Sequence, residues 1–198
     1  MFIMKELIFA TNNIHKLQEI RAILDGDFII RSLAEVNCFD EIPETGNTLQ
    51  ANAEIKARYI EDKYHCNCFA DDTGLEVECL QGAPGVFSAR YAGEDCNSEK
   101  NIDKLLLAME GESNRLAQFR TVIALIENNE LFLFEGIIKG RIANERFGTG
   151  GFGYDSVFIP EGYDKTFAEL PAEVKNTISH RAIASKKLVA YLMSKNEK

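Results

Sequence analysis

Leu7-Ile8-Phe9-Ala10-Thr11-Asn12-Asn13-Ile14-His15-Lys16-Leu17-Gln18-Glu19-Ile20-Arg21-Ala22-Ile23-Leu24 is the stretch that decides the fold class. Leu7 to Ala10 is a short apolar run, the pattern of a buried strand. It stops at the polar loop Thr11 to Lys16. Leu17, Ile20 and Leu24 then recur at helical spacing, and Asp25-Gly26 supplies a stop. The chain thus begins strand, loop, helix.

Working outward, the same alternation continues. Phe28 to Ile30 reads as a second strand. Cys38 to Thr48 is polar, carries Pro43 and Gly46, and reads as a loop. Leu49, Ala53, Ala57 and Ile60 form one stripe of a long helix from about Thr48 to Tyr64. Asn67 to Ala70 enters a strand that leads into Asp71-Asp72-Thr73-Gly74. Leu75, Val77 and Cys79 alternate with Glu76 and Glu78, a half-exposed strand, and Gln81 to Gly85 is a turn. Ser98 is placed to cap a helix carrying Ile102, Leu105, Leu106 and Met109. Leu116 to Ile126 and Leu131 to Ile142 flank Asn128-Asn129, which predicts a β-hairpin. Arg146 to Gly153 is a glycine-rich loop, Tyr154 to Ile159 a strand, and Ser179 the cap of a final helix to about Met193. Nothing repeats and no linker interrupts. One α/β domain over residues 1–198 is expected, with the hairpin able to project as a second lobe.

Composition narrows the function. A chain of 198 residues can bury a core without disulfide or metal staples. With 45% hydrophobic and 27% charged residues it is neither a disordered tail, a collagen-like repeat nor a coiled coil. A net charge of −9 argues against a nucleic-acid partner, though not against a phosphate-bearing small substrate. Lys5 and Glu6 interrupt the N-terminal apolar stretch, which is wrong for a signal peptide. No run approaches the roughly 18 apolar residues of a membrane span, so no membrane partner is expected. The five cysteines are an odd number in a chain that needs no staples, which points to reduced thiols in the cytoplasm. His65-Cys66-Asn67-Cys68 is half a zinc site without a second half.

Several constellations could carry chemistry. Asp71 and Asp72 close a buried strand, where neighbours face opposite ways, so the two acids divide their tasks. Either could instead hold a turn. Asp72-Thr73-Gly74 matches the aspartic-protease tripeptide, but that chemistry needs a second copy or a symmetric dimer. Gly148-Thr149-Gly150-Gly151-Phe152-Gly153 contains G-x-G-x-x-G, yet a strand rather than a helix is expected after it, so the dinucleotide fingerprint fails. Its glycines still allow close approach of a ligand, and Phe152 and Tyr154 offer ring faces to a base. Lys16 at the head of a helix suits a phosphate. His180-Arg181 sits just inside the last helix, and an Arg fork can donate to a purine.

In order, these blocks resemble the inosine triphosphate pyrophosphatase family. The likeness runs through Thr11 to Lys16, Glu44-Thr45-Gly46, Asn52-Ala53 with Lys56-Ala57, and Ala70 to Leu75. It continues through Gly82-Ala83-Pro84-Gly85, Ser88-Ala89-Arg90-Tyr91, Gly148 to Asp155 and Ser179-His180-Arg181, spanning about residues 7 to 190. The resemblance implies an α/β fold in which a long mixed β-sheet with flanking helices forms two lobes around a central cleft, in a homodimer. It implies Mg²⁺-dependent hydrolysis of ITP, dITP and XTP to the monophosphate and pyrophosphate. By motif, Thr11, Asn12, Asn13, Ile14, His15, Lys16 and Lys56 would hold the triphosphate. Asp71 would be the catalytic carboxylate and a metal ligand, with Glu44 the second acidic metal partner and Glu41 close to it. Asp72 would touch substrate. Phe152, Gly153, Tyr154 and Asp155 would frame the base, and Lys175, His180 and Arg181 would complete its pocket. Asn12 stands where the family usually has Gly, Thr73 where it has Ser, and Ser156 where it has Pro.

Base choice would then be a hydrogen-bond problem. Hypoxanthine and xanthine present a 6-oxo acceptor and an N1–H donor, and adenine presents the reverse. Each buried group left unpaired costs about 1–3 kcal/mol, so two give roughly 10²–10⁴ discrimination. Arg181 as O6 donor and Asp155 as acceptor would supply it. The rivals are a related pyrophosphatase with another base preference, a non-catalytic nucleotide-binding module, and the dimeric aspartic protease.

Overall fold

A computed structural model describes residues 5–24 and 28–195. The expected Asp25-Gly26 stop lies outside the described residues. The strands are β1 (Lys5–Phe9), β2 (Phe28–Ser32), β3 (Cys68–Val77), β4 (Pro84–Gly85), β5 (Leu116–Glu127), β6 (Glu130–Ile142) and β7 (Phe158–Pro160). The helices are α1 (Ile14–Ile23), α2 (Leu49–Tyr64), α3 (Ser98–Ala108), α4 (Ala172–Ile178) and α5 (His180–Ser194). The strand order is β2-β1-β3-β5-β6-β7, with β4 on β3. β2 and β3 both pair parallel to β1, while β3–β4 and β6–β7 are antiparallel. This is the expected mixed α/β sheet with flanking helices.

The chain divides into two compact units. The first holds residues 1–72, 121–136 and 181–198. Its core joins Leu7 and Phe9 of β1, Leu17 and Ile20 of α1, Phe69 of β3, Ile123 and Leu125 of β5, and Leu188 and Leu192 of α5. Phe9 and Phe69 stack at 4.6 Å across the parallel pair. The second unit holds residues 73–120 and 137–180. Its core joins Leu75 and Val77 of β3, Ile102 and Leu105 of α3, and Phe119, Phe158 and Phe167. Each unit therefore buries its own apolar set.

Local chemistry explains the ends of the elements. Thr48 caps α2, its hydroxyl accepting from Ala51 N at 3.1 Å. Asn128 and Asn129 take positive φ of 52° and 67°, the geometry of a two-residue hairpin between antiparallel neighbours. Four expectations are corrected. Asn97, not Ser98, caps α3, because its side chain accepts from Lys100 N. Asp71-Asp72-Thr73-Gly74 lies inside one continuous strand rather than at a strand end. Gly74 is needed there, since a Cβ would meet Gly85 O of β4 at 2.6 Å. Residues 154–157 form turns, Val157 N and Phe158 N both donating to Tyr154 O, so the strand starts only at Phe158. Glu78 to Leu80 is a helical turn, so the strand expected to reach Cys79 stops at Val77.

Candidate active site

The loop after β1 is a helix cap. Asn13 Oδ1 accepts from His15 N at 3.0 Å and Lys16 N at 3.1 Å, and Thr11 Oγ1 accepts from Asn13 N. This fixes the head of α1, with Ile14 exposed there, and aims Lys16 back across the sheet. Lys16 Nζ donates to Asp71 Oδ1 at 2.9 Å. The other Asp71 oxygen accepts from Arg181 Nε at 3.2 Å, and Arg181 Nη1 also binds Glu19. Glu19 lies one turn beyond Lys16 on α1, so helical spacing brings both to the same face.

Asp72 faces a different set of partners, as strand alternation requires. Its Oδ1 accepts from Lys56 Nζ at 2.9 Å, and its Oδ2 from Asn52 Nδ2 at 3.3 Å. Lys56 Nζ also donates to Glu44 Oε1 at 2.5 Å. One ammonium therefore joins a loop carboxylate to a strand carboxylate. Asn52 and Lys56 are successive turns of one face of α2, and Asn52 Oδ1 also accepts from Gly46 N at 2.7 Å. Glu41 lies on the exposed side of the same loop.

The two aspartates differ in access and in charge state. The Asp71 side chain has 0% exposure, whereas Asp72 keeps 9% and Glu44 30%. Burial alone would push the Asp71 carboxyl up, but Lys16, Arg181 and Lys56 outweigh it and hold it well below the ordinary carboxylate range. Burial, aided by the nearby Glu44, raises Asp72 against the pull of Lys56 and Lys16. Burial also lowers Lys16, with Lys56 and Arg181 adding to the effect. Asp71 is thus a sealed anion. Asp72, the less buried of the two, is a carboxylate nearer to taking a proton.

Among the described ion pairs, Lys16, Lys56 and Arg181 face Glu19, Glu44, Asp71 and Asp72, three cations to four carboxylates. A cation would help a polyphosphate to meet this lattice. Among the described residues no group of three or more His, Cys, Asp or Glu forms a ready metal cage. Mg²⁺ asks for less, one or two carboxylates with water and phosphate oxygens completing its shell. Glu44 keeps 30% exposure and shares the Lys56 ammonium with Asp72, so its carboxylate fits Mg²⁺. Both oxygens of Asp71 accept from cations, whereas Asp72 binds one cation and one amide, so Asp72 would give up less to the metal.

In the second unit, Asp155 Oδ2 accepts from Lys175 Nζ at 2.5 Å and from Phe152 N at 2.8 Å. Lys175 also lies 5.0 Å from the Phe152 ring. Gly151 is required beside them: its φ is +72°, and a Cβ would strike Asp155 Oδ2. Gly153, with φ +59°, completes the turn. Tyr154 is buried in the core with its hydroxyl donating to Ser88 O at 2.9 Å, so it supports this turn from below. His180 stacks on Phe119 at 4.6 Å.

The expected residues therefore fall into two groups. Thr11 to Lys16, Glu44, Lys56, Asp71, Asp72 and Arg181 belong to the first unit, and Phe152 to Asp155, Lys175 and His180 to the second. Arg181 is 1% exposed and bound to Asp71 and Glu19, which ties it to the acids rather than leaving its fork open for a base. Glu19 joins the site without a motif that marks it, and Asn52, part of the Asn52-Ala53 block, joins it without a role assigned from sequence. Their spacing from Lys16 and Lys56, three and four residues on the same helices, is the signal the sequence offers.

Acids and bases gathered where the parallel β1–β3 pairing ends, at the head of α1 and along β3 beyond it, define an α/β protein with a charged site at that point. The sequence model of the Ham1 family matches residues 7–191, and the chain belongs to that family. A dITP/XTP pyrophosphatase of Flavobacterium johnsoniae is 52% identical over 94% of this chain and 97% of its own length. One from Porphyromonas gingivalis is 56% identical over 96% and 98%. The Staphylococcus aureus Ham1 structure superposes with a TM-score of 0.87 at 38% identity, covering 96% of this chain and all of that one. A dITP/XTP pyrophosphatase structure from Mycobacterium abscessus gives 0.75 at 37% identity, over 94% and 98%.

Proposed function

We propose that this chain is a nucleoside triphosphate pyrophosphatase that hydrolyses non-standard purine nucleotides, ITP, dITP and XTP, to the monophosphate and pyrophosphate. Family membership and the named activities of relatives at 52% and 56% identity support the reaction class. The observation that carries the chemistry is the Lys56 ammonium shared by Glu44 and Asp72 beside a sealed Asp71. The match over residues 7–191 supports treating the chain as one catalytic domain.

In this reading the Thr11 to Lys16 loop, Lys16 and Lys56 hold the triphosphate. Glu44 and Asp72 would hold Mg²⁺, which when bound would neutralise phosphate charge and acidify a water. Asp72 accepts a proton from the attacking water as its oxygen bonds to the α-phosphorus, and the bridging oxygen leaves with pyrophosphate. The catalytic carboxylate expected at Asp71 is thereby assigned to its neighbour, because a base must reach water and Asp71 has no exposed surface. Asp71 instead keeps Lys16 and Arg181 in place. The Phe152 to Asp155 turn with Lys175 is the base-recognition element, Phe152 giving a ring face and Asp155 an acceptor. His180 supports that element through Phe119. Arg181, committed to the acids, orders the lattice.

A homodimer in the cytoplasm completes the reading. All five cysteines are free thiols, as a reducing compartment would have them. No described helix is long and apolar enough to cross a membrane. The net charge of −9 supports a small-molecule rather than a nucleic-acid partner. The test is kcat/KM for ITP, XTP, dITP, GTP and ATP, with products resolved as phosphate or pyrophosphate. Pyrophosphate from the first three, at roughly 10²-fold or more over ATP, is expected. Tight ITP binding with no product would instead indicate a binding module, and peptide cleavage at acid pH the protease.

A further inference from the structure

Asp40 lies outside this machinery, yet three parts of the first unit converge on it. Its Oδ2 accepts from the Tyr59 hydroxyl at 2.6 Å and from the Lys63 ammonium, both on α2. Cys38 Sγ lies 3.8 Å from the same oxygen. Its backbone carbonyl accepts from Asn12 Nδ2 at 3.4 Å, in the loop after β1. The Asn12 side chain thus ties the loop after β1 to the Asp40 backbone.

The ties form a register. Asn52, Lys56, Tyr59 and Lys63 stand four, three and four residues apart, one polar face of α2 beside the buried stripe of Leu49, Ala53, Ala57 and Ile60. The 38–48 loop runs back along that face: Asp40 meets Tyr59 and Lys63, Glu44 meets Lys56, Gly46 N meets Asn52, and Thr48 caps the helix. The loop has no regular structure of its own between these points. Asp40 is the far anchor of this run, so its loss leaves Glu44 held from one side only, by the Gly46 and Thr48 ties.

We propose that Asp40 is a positioning residue that pins the 38–48 loop against α2 and so holds Glu44 opposite Asp72. The inference rests on the proposed function only where it gives Glu44 a cation to hold. The experiment uses the full chain, with Asp40→Ala, Asp40→Asn, Tyr59→Phe and Glu44→Gln. Two readouts are taken: amide exchange over residues 41–47 without metal or nucleotide, and the Mg²⁺ concentration for half-maximal ITP hydrolysis. Asp40→Ala should speed exchange over 41–47 about tenfold while leaving α5 and β5 unchanged. It should raise the Mg²⁺ requirement by about tenfold. Tyr59→Phe should move both in the same direction, and Asp40→Asn, which keeps an oxygen for the Tyr59 hydroxyl, should fall between. If Asp40→Ala does not fold, Tyr59→Phe decides. Wild-type exchange and Mg²⁺ requirement in the folded variants would overturn the proposal. Faster exchange with a Mg²⁺ requirement insensitive to Glu44→Gln would keep the loop role and remove the metal assignment of Glu44 instead.

Discussion

Replacing Asp71 by Asn should destabilise the chain far more than the same change at Asp72. Asp71 is fully buried, and both its oxygens bind buried or nearly buried cations, Lys16 at 15% and Arg181 at 1% exposure. An amide can accept from one of them but turns a donor toward the other. Removing one partner of a buried ion pair costs about 3–5 kcal/mol. Arg181 keeps Glu19 and Lys16 keeps some exposure, which places the cost near the lower end, about 3 kcal/mol. For a chain of this size about 1 kcal/mol moves Tm by roughly 2–4 °C, so Asp71→Asn should lower it by about 6–12 °C. Asp72→Asn leaves Lys56 paired to Glu44 and keeps an oxygen for Asn52. It should cost about 1–2 kcal/mol, roughly 2–8 °C. The assay is thermal melting by circular dichroism near neutral pH, checked by urea unfolding. A Tm for Asp71→Asn within about 2 °C of wild type, or a larger loss at Asp72, would refute the division of the two acids into anchor and base.

Asp71 also makes stability depend on pH. Its folded pKa is depressed below the unfolded value of about 3.9, so its contribution is fully present above that value, starts to fade as pH falls below it, and is lost only as pH falls through the lower folded value. The Tm gap between wild type and Asp71→Asn should therefore hold from about pH 6 to about pH 4.5 and narrow as pH falls further toward about pH 3, and a gap unchanged at the acid end would contradict the depression. Lys175→Met should free Asp155 from its ammonium and lower the ITP-to-ATP ratio of kcat/KM by about tenfold, with Tm measured alongside to show that the fold survives. An unchanged ratio would remove the 152–155 turn from base recognition.

Much of the fold is legible in the sequence. The apolar stripes of α1 and α2 and the Asn-Asn hairpin follow from period and turn chemistry alone, and the structure has them where the pattern puts them. The failures have physical causes. Asp71 to Gly74 looks like a turn because polar residues and glycine seldom fill a strand interior. Here distant partners, Arg181 lying 110 positions away, neutralise Asp71 inside the sheet. Tyr154 and Val157 look like strand because both are apolar-facing, but both are buried by a turn that returns on Tyr154 O. The ion pairs of Arg181 with Asp71 and Glu19 are likewise not legible in sequence, because the partners lie 110 and 162 positions away. The motifs pick out the charged residues that gather around the two aspartates. Dividing the work between those aspartates requires their partners, which only the folded chain brings together.

The most direct test is pyrophosphate release from ITP with and without Mg²⁺ by wild type, Asp71→Asn and Asp72→Asn, each assayed well below its own Tm. Wild type should release pyrophosphate only with Mg²⁺. Asp72→Asn should lose activity by about 10²-fold or more while remaining folded, and Asp71→Asn, where folded, should retain the larger share. An Asp72→Asn enzyme as active as wild type, with Asp71→Asn inactive though folded, would return the catalytic role to Asp71.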